Sequence, residues 1–237
     1  MNWHIASVSF GADSLGMLIG LIERRLPLDE VLFYDAGMEF ETTYRMRDRM
    51  LPLLRREGIR YTELRPRREF LYMMLEKPVK GKNGFHYGYS WCGGPCRWGT
   101  GEKIRATDAY AEARGATVYV GIAADEHKRL AKKHKQYKRF PLAEWGVDEA
   151  QALACCYQHG YDWREDGVRL YDILSRVSCW CCANKNLTEL ENIYHSLPRY
   201  WQGLRDLQER THRPMKGPGK SVFDLERRFM EKSIKAA

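Results

Sequence analysis

Long apolar runs are missing from this sequence of 237 residues. No run approaches the roughly 20 residues that a membrane-spanning helix needs, so no membrane segment is expected. The first residues, from Met1 to Ile5, lack the basic and apolar stretches of a secretory signal, and we expect a cytoplasmic protein. In that reducing compartment the seven cysteines are expected to be thiols, metal ligands or redox groups rather than disulfides.

The composition also lacks the excess of charged over hydrophobic residues that is typical of disordered chains. Hydrophobic residues make up 44% of the sequence and charged residues 30%, which predicts a globular protein. The formal net charge is +8, and this excess favours a polyanionic partner such as a nucleotide, tRNA or DNA. A solvated basic surface would produce the same excess, so charge alone does not decide between the two.

Short apolar runs alternate with amphipathic segments over the first 65 residues. The pattern predicts strands at 5–8, 31–34 and 59–64, and helices at 15–25 and 41–56. A further helix is expected at 102–114 and a fourth strand at 117–121. This β-α-β-α-β order is typical of an α/β fold with a doubly wound, mostly parallel, Rossmann-like sheet.

Residues 77–101 interrupt this alternation, because they are rich in glycine, aromatic residues and lysine and contain Cys92 and Cys96. We interpret them as a functional excursion. A later helix is expected up to His159, with Asp148 as its N-cap. The predicted organisation is a nucleotide-binding domain with a cysteine-ligated metal site over 1–185 and a basic appendage of two or three helices over 186–237.

The loop between the first strand and the first helix reads Ser-Phe-Gly-Ala-Asp-Ser from Ser9 to Ser14. A helix N-terminus presents N–H groups and a partial positive charge, which together form an anion site. Gly11 allows the backbone to approach phosphate closely, and the two serines offer hydroxyl donors. Asp13 could hold Mg²⁺ or cap the helix. The alternative is an ordinary N-cap at Asp13 or Ser14 without any ligand.

This loop resembles the S-G-G-x-D-S pyrophosphate loop of the PP-loop ATPases. Phe10 stands where that family usually has a second glycine, and the positions that match are Ser9, Gly11, Asp13 and Ser14. Three later stretches resemble the phosphoadenosine-phosphosulfate reductase branch of the same superfamily. They are Tyr34 to Tyr44 (its D-T-G-x-x-F-x-E-T-Y), Val120 to Arg129 (its G-x-R-x-D-E-S-x-x-R) and Arg139 to Trp145 (its P-L-x-x-W).

The resemblance covers residues 3–185 and implies a site for ATP with Mg²⁺. The residues implied in nucleotide binding are Ser9, Gly11, Asp13, Ser14, Asp35, Gly37, Gly121, Asp125 and Arg129. Asp13 and Asp35 are the candidates for holding the metal ion, and Lys103 and Arg129 for contacting phosphate. The candidate catalytic residues are Asp13, Asp35 and Lys103, although each charged group could instead be a surface ion-pair partner.

Cysteines occur in two separated groups. Cys92 and Cys96 form C-x-x-x-C, and Cys179 and Cys182 form C-x-x-C with Cys181 between them. Two thiol pairs can supply four soft ligands for zinc or for an iron–sulfur cluster, and buried free thiols are the alternative without metal.

The layout resembles that of the iron–sulfur-dependent sulfonucleotide reductases, although their first pair is adjacent. The resemblance implies a [4Fe-4S] cluster held by Cys92, Cys96, Cys179 and Cys182. Cys181 is the alternative to Cys182 as a ligand, and zinc is the alternative metal.

Aromatic residues crowd the same excursion. They are His86, Tyr87, Tyr89, Trp91 and Trp98. Such side chains can stack on a nucleic-acid base or shield a cluster from solvent, and we favour shielding.

No cysteine follows Cys182, whereas the sulfonucleotide reductases use a mobile cysteine near the C-terminus to attack sulfur. We therefore predict an ATP-dependent iron–sulfur enzyme that adenylates its substrate with pyrophosphate release, for sulfur transfer. One alternative is a sulfonucleotide reductase whose resolving thiol is supplied in trans or by Cys181. Another is a non-catalytic nucleotide- or nucleic-acid-binding module. Candidate partners are tRNA or DNA and a sulfur- or electron-donor protein.

Overall fold

The computed structural model describes residues 3–81, 84–92, 96 and 98–236. Residues 82–83, 93–95 and 97 of the predicted excursion lie outside the described residues. The strands are β1 (His4–Ser7), β2 (Glu30–Tyr34), β3 (Arg60–Leu64), β4 (Pro78–Gly81), β5 (Gly84–Tyr87), β6 (Thr117–Val120), β7 (Lys138–Arg139), β8 (Arg164–Glu165) and β9 (Val168–Arg169).

The helices follow the same numbering along the chain, and a π-helical turn covers Tyr72–Glu76. They are α1 (Ala12–Glu23), α2 (Glu41–Arg56), α3 (Thr100–Glu112), α4 (His127–Leu130), α5 (Pro141–Glu144), α6 (Glu149–Gln158), α7 (Leu170–Ile173), α8 (Leu187–Ser196), α9 (Pro198–Arg210) and α10 (Val222–Ala236). Among the described residues, no helix combines the length and the apolar character needed to cross a bilayer.

The chain divides into two compact units. The first contains Met1–Asp35, Glu39–Arg65 and Lys103–Trp163. The second contains Ala36–Met38, Pro66–Glu102 and Arg164–Ala237. The expected boundary between residues 185 and 186 falls inside the second unit, which holds both cysteine groups together with the C-terminal helices. That boundary stays a prediction.

A five-stranded parallel sheet forms the centre of the first unit, in the order β3-β2-β1-β6-β7. The central strand β1 pairs with β2 on one side and with β6 on the other, so the chain reverses its direction of winding there. All five residues of β2 are buried, as expected for a strand that is covered on both faces. The prediction of an α/β fold with a doubly wound parallel sheet is confirmed.

Local patterns explain most of these elements. The helix predicted at 41–56 is α2, with the same bounds. Asp148 caps α6 as predicted: its carboxylate accepts the backbone N–H of Gln151 at 2.7 Å, and the Gln151 side chain accepts the N–H of Asp148 at 3.0 Å. The edge strand β7 was missed because its two residues are both basic and carry no apolar pattern.

Helices α1 and α6 pack closely because small residues line their contact. A Cβ atom on Gly16 would lie 3.0 Å from the carbonyl oxygen of Ala152. Next to it, the buried thiol of Cys156 donates to the carbonyl of Ala12 over 3.4 Å. This packing holds the first turn of α1 beside α6.

The second unit contains the hairpin β4–β5, the short hairpin β8–β9 and the helices α7 to α10. The expectation of two or three C-terminal helices is confirmed, since α8, α9 and α10 occupy this part. Pro198 is the first residue of α9, where its missing N–H costs no hydrogen bond. Tyr194, Trp201 and Phe229 join the three helices through ring contacts with centroids 5.3–5.8 Å apart.

Candidate functional site

The loop between β1 and α1 lies at the carboxyl end of the central strand. The backbone N–H of Ser9 donates to Oγ of Ser14 over 3.1 Å, and the two hydroxyl oxygens are 3.2 Å apart. Ser14 Oγ in turn donates to the carbonyl of Gly11, the N-cap residue of α1, over 3.1 Å. These bonds close the loop onto the first turn of the helix. Ser9 and Ser14 therefore fix its shape, and their contact with phosphate stays a prediction.

Phe10 adopts a backbone conformation that normally favours glycine. Its φ is 57°, in the left-handed region, which costs a residue with a Cβ roughly 1–2 kcal/mol. The side chain is fully buried and packs edge-to-face on Phe33, with ring centroids 5.3 Å apart. The indole N–H of Trp163 donates to the Phe10 carbonyl over 2.8 Å. Burial of the ring offsets the strain, so the glycine-like turn is kept without a glycine.

Gly121 follows β6 and touches the start of α1. A Cβ atom there would lie 2.8 Å from both N and Cα of Ser14. Real Cβ atoms do not approach backbone so closely, so a larger residue would push the first turn of α1 away. The structure thus gives Gly121 a packing role, and its contact with a nucleotide stays a prediction.

Three carboxylates converge at the N-terminus of α1, and we call them the acid trio: Asp13, Glu126 and Glu149. Their ligand oxygens all lie within 4.8 Å of one another. Asp13 belongs to the first turn of α1, Glu126 is the N-cap residue of α4, and Glu149 is the first residue of α6. Carboxylate oxygens are the ligands that Mg²⁺ prefers. Their convergence therefore suits a divalent cation.

Sequence reasoning found only one member of the acid trio. Glu126 lies inside the stretch from Val120 to Arg129, in which the resemblance implies its neighbours Asp125 and Arg129 as nucleotide-binding residues. Glu149 carries no motif at all and follows the helix cap Asp148. Only the packing of α6 beside α1 brings its carboxylate to Asp13.

Asp125 and Arg129 support the acid trio. A carboxylate oxygen of Asp125 accepts the backbone N–H of Glu149 over 3.2 Å. Arg129 places Nη1 2.6 Å from both carboxylate oxygens of the buried Glu126. The structure therefore brings Asp125, Arg129 and Gly121 to the same place as Asp13, and Arg129 balances one of the three negative charges.

Asp35 follows β2 and lies outside the acid trio. It is buried, and its Oδ1 accepts the hydroxyl of Tyr44 over 2.8 Å. Burial and the Asp35 carboxylate both raise the pKa of Tyr44, which keeps the phenol protonated as a donor. Gly37, in the second unit, has φ 76° and so needs glycine for its backbone. Lys103 is half-buried in the first turn of α3.

Cys96 lies just before α3, and the turn that leads into the helix supplies donors to its sulfur. The backbone N–H of Gly99 donates to Sγ over 3.3 Å, and N–H groups of Thr100 and Trp98 also favour the thiolate. Burial disfavours the thiolate and outweighs these donors, so the pKa of Cys96 is raised. This thiolate would thus gain from a bound cation or cluster.

The two cysteine groups lie near each other within the second unit. Burial contributes most to the raised pKa of Cys181, and the charge of a thiolate at Cys96 raises it further. Cys181 is buried, while the other four thiols are partly exposed. No three of these five described cysteines bring their sulfurs within 4.8 Å of one another.

Buried aromatic rings neighbour the first cysteine group along the chain. Trp91 and Trp98 are buried, and Tyr89 stacks on Trp98 with centroids 5.1 Å apart. The indole N–H groups of both tryptophans have no hydrogen-bond acceptor among the described residues. A buried donor left without an acceptor costs about 1–3 kcal/mol, so these N–H groups suit an anionic or sulfur-bearing group. The prediction that Tyr87 shields a cluster from solvent is wrong, because its side chain is exposed.

Sequence reasoning missed a buried lysine beside the second cysteine group. Lys185 is buried, and its Nζ lies 3.5 Å from Oγ of Ser178. Burial lowers its pKa, while charges at Cys182, Glu189 and Cys179 favour its protonated form. The only sequence signal was a lysine three residues after C-x-x-C. A buried amine among thiols is suited to a bound anion.

The fold and these two clusters define the class: an α/β protein with three carboxylates at a helix N-terminus and a separate thiol-rich centre. No protein-family model and no curated protein matches the chain. Among solved structures, it is similar to the U34-tRNA thiolase NcsA from Methanococcus maripaludis with its [4Fe-4S] cluster. The identity is 16% and the TM-score 0.48, over 100% of this chain and 73% of that one. Such a likeness does not establish a shared activity.

Replacing Phe10 with glycine tests the origin of the loop geometry. Loss of the buried ring costs about 3–5 kcal/mol, and relief of the left-handed strain returns about 1 kcal/mol. We expect the free energy of unfolding to fall by about 2–4 kcal/mol, measured by urea denaturation with circular dichroism. Phe85→Ala, at an exposed phenylalanine, is the control and should change stability little. Unchanged stability in Phe10→Gly would contradict the account.

Proposed function

We propose that the chain is an ATP-dependent, iron–sulfur-containing sulfurtransferase related to the PP-loop ATPases. It would adenylate its substrate and release pyrophosphate. The acid trio carries this proposal, because it gathers three carboxylates at the N-terminus of α1, at the carboxyl end of the central strand β1. Ligands of doubly wound sheets bind outside the carboxyl ends of the strands, where the strand order reverses.

A nucleotide would bind through its phosphates. The first turn of α1 would face the pyrophosphate end, where N–H groups and the helix dipole favour negative charge. Asp13 and Glu149 would hold Mg²⁺, whose charge would offset the repulsion between these carboxylates and the phosphates. Arg129 pairs with Glu126, so we propose that it supports the acid trio. Direct phosphate contact is left to Lys103. Asp35, oriented by Tyr44, would border the adenosine.

The chemistry consists of two displacements. A substrate oxygen attacks the α-phosphorus of ATP, the bond from that phosphorus to the bridging oxygen breaks, and pyrophosphate leaves. The N–H groups at the N-terminus of α1 would stabilise the charge that develops on the leaving group, and Mg²⁺ held by Asp13 and Glu149 would supply further positive charge there. A sulfur nucleophile from a donor protein then attacks the activated carbon, and AMP departs with the substrate oxygen. The net charge of +8 makes a nucleic acid the acceptor that we propose.

Cys92, Cys96, Cys179 and Cys182 would hold the [4Fe-4S] cluster, which supplies an iron site for sulfur when bound. Burial raises the pKa of Cys181 and disfavours its thiolate, so Cys182 is the better ligand. Zinc on the same four thiolates is the alternative, because tetrahedral thiolate sites suit both metals.

The same burial weighs against the reductase alternative. A resolving cysteine must reach and attack a sulfur atom as a thiolate. Cys181 is buried and its pKa is raised, so it is poorly suited to that role. A reductase would then depend on a thiol supplied in trans.

Amide substitutions in the acid trio test the nucleotide site. Asp13→Asn and Glu149→Gln remove a metal ligand with little change in shape. Each should lower Mg²⁺-dependent exchange of labelled pyrophosphate into ATP, assayed with the substrate present, by about 100-fold. Glu209→Gln, on the exposed side of α9, makes the same chemical change elsewhere and should leave the rate intact. Full exchange activity in both trio variants would refute this site.

Serine substitutions test the cluster. Protein purified without oxygen should be coloured and contain about four irons per chain. Serine at Cys92, Cys96, Cys179 or Cys182 should lower iron content and visible absorption, because an oxygen ligand replaces a thiolate. Cys155→Ser, on α6 in the first unit, is the matched control and should retain its iron. Colourless protein with one zinc per chain would overturn the cluster.

A further inference from the structure

The hairpin β4–β5 presents two aromatic rings to solvent. Phe85 and Tyr87 are 77% and 71% exposed. All phenylalanine, tyrosine and tryptophan residues of the chain lie in its described part, and these two are the exposed ones. They stand two residues apart on β5 and therefore share one face, with Cα atoms about 7 Å apart.

The strand register places a cation and a rigid ring on that same face. Lys80 lies opposite Phe85, and Pro78 lies opposite Tyr87. Both partners are exposed. We call this surface, formed by Pro78, Lys80, Phe85 and Tyr87, the hairpin face.

The opposite side of the hairpin is anchored, which holds the hairpin face outward. His86 packs edge-to-face against His212, with ring centroids 4.8 Å apart. At the end of β5, the N–H of Gly88 donates to the carbonyl of Lys77 over 2.8 Å. A Cβ on Gly88 would lie 2.1 Å from the Met74 carbonyl oxygen, so the backbone fits tightly against the π-helical turn. The exposed rings are thus mounted on a fixed support.

The contact with His212 also brings basic residues beside the hairpin. Arg210 and Arg213 flank this histidine and are both exposed. The Arg213 charge contributes, after burial, to lowering the pKa of His212, so the guanidinium lies near that ring. Aromatic rings next to cations are the combination that binds single strands, because bases stack on rings while cations meet phosphates.

We propose that the hairpin face binds a single-stranded nucleic acid by stacking one base on Phe85 and one on Tyr87. The inference deepens the proposed function, since it names the surface that would hold a nucleic-acid acceptor. Stacking needs an exposed π-face, and every base has one, so the surface would tolerate different sequences. Duplexes keep their bases stacked internally and would bind more weakly.

Fluorescence anisotropy with labelled oligonucleotides tests this surface on the full chain without ATP. The probes are single-stranded RNA and DNA of about 12 nucleotides in mixed sequence, and the matching duplexes. Phe85→Ala and Tyr87→Ala should each raise the Kd for a single strand about 5-fold or more. Tyr87→Phe keeps the ring and should bind like the parent. Phe85→Leu keeps an apolar side chain without a π-face and should bind like Phe85→Ala.

Ile234→Ala, at an equally exposed apolar residue of α10, is the control and should not change the Kd. Circular dichroism should be identical for all variants, because the substituted side chains contact mainly solvent. The proposal is overturned if no single strand binds at low salt, if duplexes bind more tightly, or if the alanine variants bind like the parent. Parent-like binding by Phe85→Leu would overturn stacking. The inference rests on the proposed function, but the two tests are separate: oligonucleotide binding is measured without ATP on the hairpin variants, and pyrophosphate exchange is measured on the acid trio variants, so one can fail while the other holds.

Discussion

The turn at Phe10 is the constraint on which the geometry of the first unit depends. A left-handed backbone at this residue is unfavourable by itself, and the burial of the ring against Phe33 makes it stable. The turn directs the chain from β1 into α1 and lets Ser9 bond to Ser14. The start of α1 then lies against Gly121, and its first turn carries Asp13 to the other two carboxylates. The hydrophobic contact between Phe10 and Phe33 thus helps to position the acid trio.

The two units collect charge in opposite ways. In the first, three carboxylates meet at the positive end of a helix, and one arginine balances part of their charge. In the second, the thiols of Cys179, Cys181 and Cys182 lie near the buried Lys185, and two indole N–H groups lack acceptors among the described residues. The first arrangement suits a cation together with phosphate, and the second suits an anionic centre with sulfur ligands. Each follows from the chemistry of its own side chains.

The sequence predicted the elements whose residues repeat with a clear period. Helix α2 and the buried strand β2 have such patterns, and Asp148 is a residue type that helix N-caps prefer. The edge strand β7 has none, because only backbone pairing to β6 defines it. Glu149 joins the acid trio through the packing of α6 on α1, which is a long-range contact without a local signal. The loop motif identified Phe10 as the position where the PP-loop ATPases usually have glycine. Only the φ and the burial of Phe10 explain how phenylalanine fits there.

In the proposed function, the acid trio would hold the metal ion of a nucleotide complex. Crystals of the protein with Mn²⁺ and a non-hydrolysable ATP analogue would test it directly, because manganese scatters anomalously and marks its own position. We expect one strong anomalous peak bounded by Asp13, Glu126 and Glu149, next to phosphate density at the start of α1. Nucleotide density elsewhere, or phosphates at α1 with the manganese peak away from the acid trio, would contradict it.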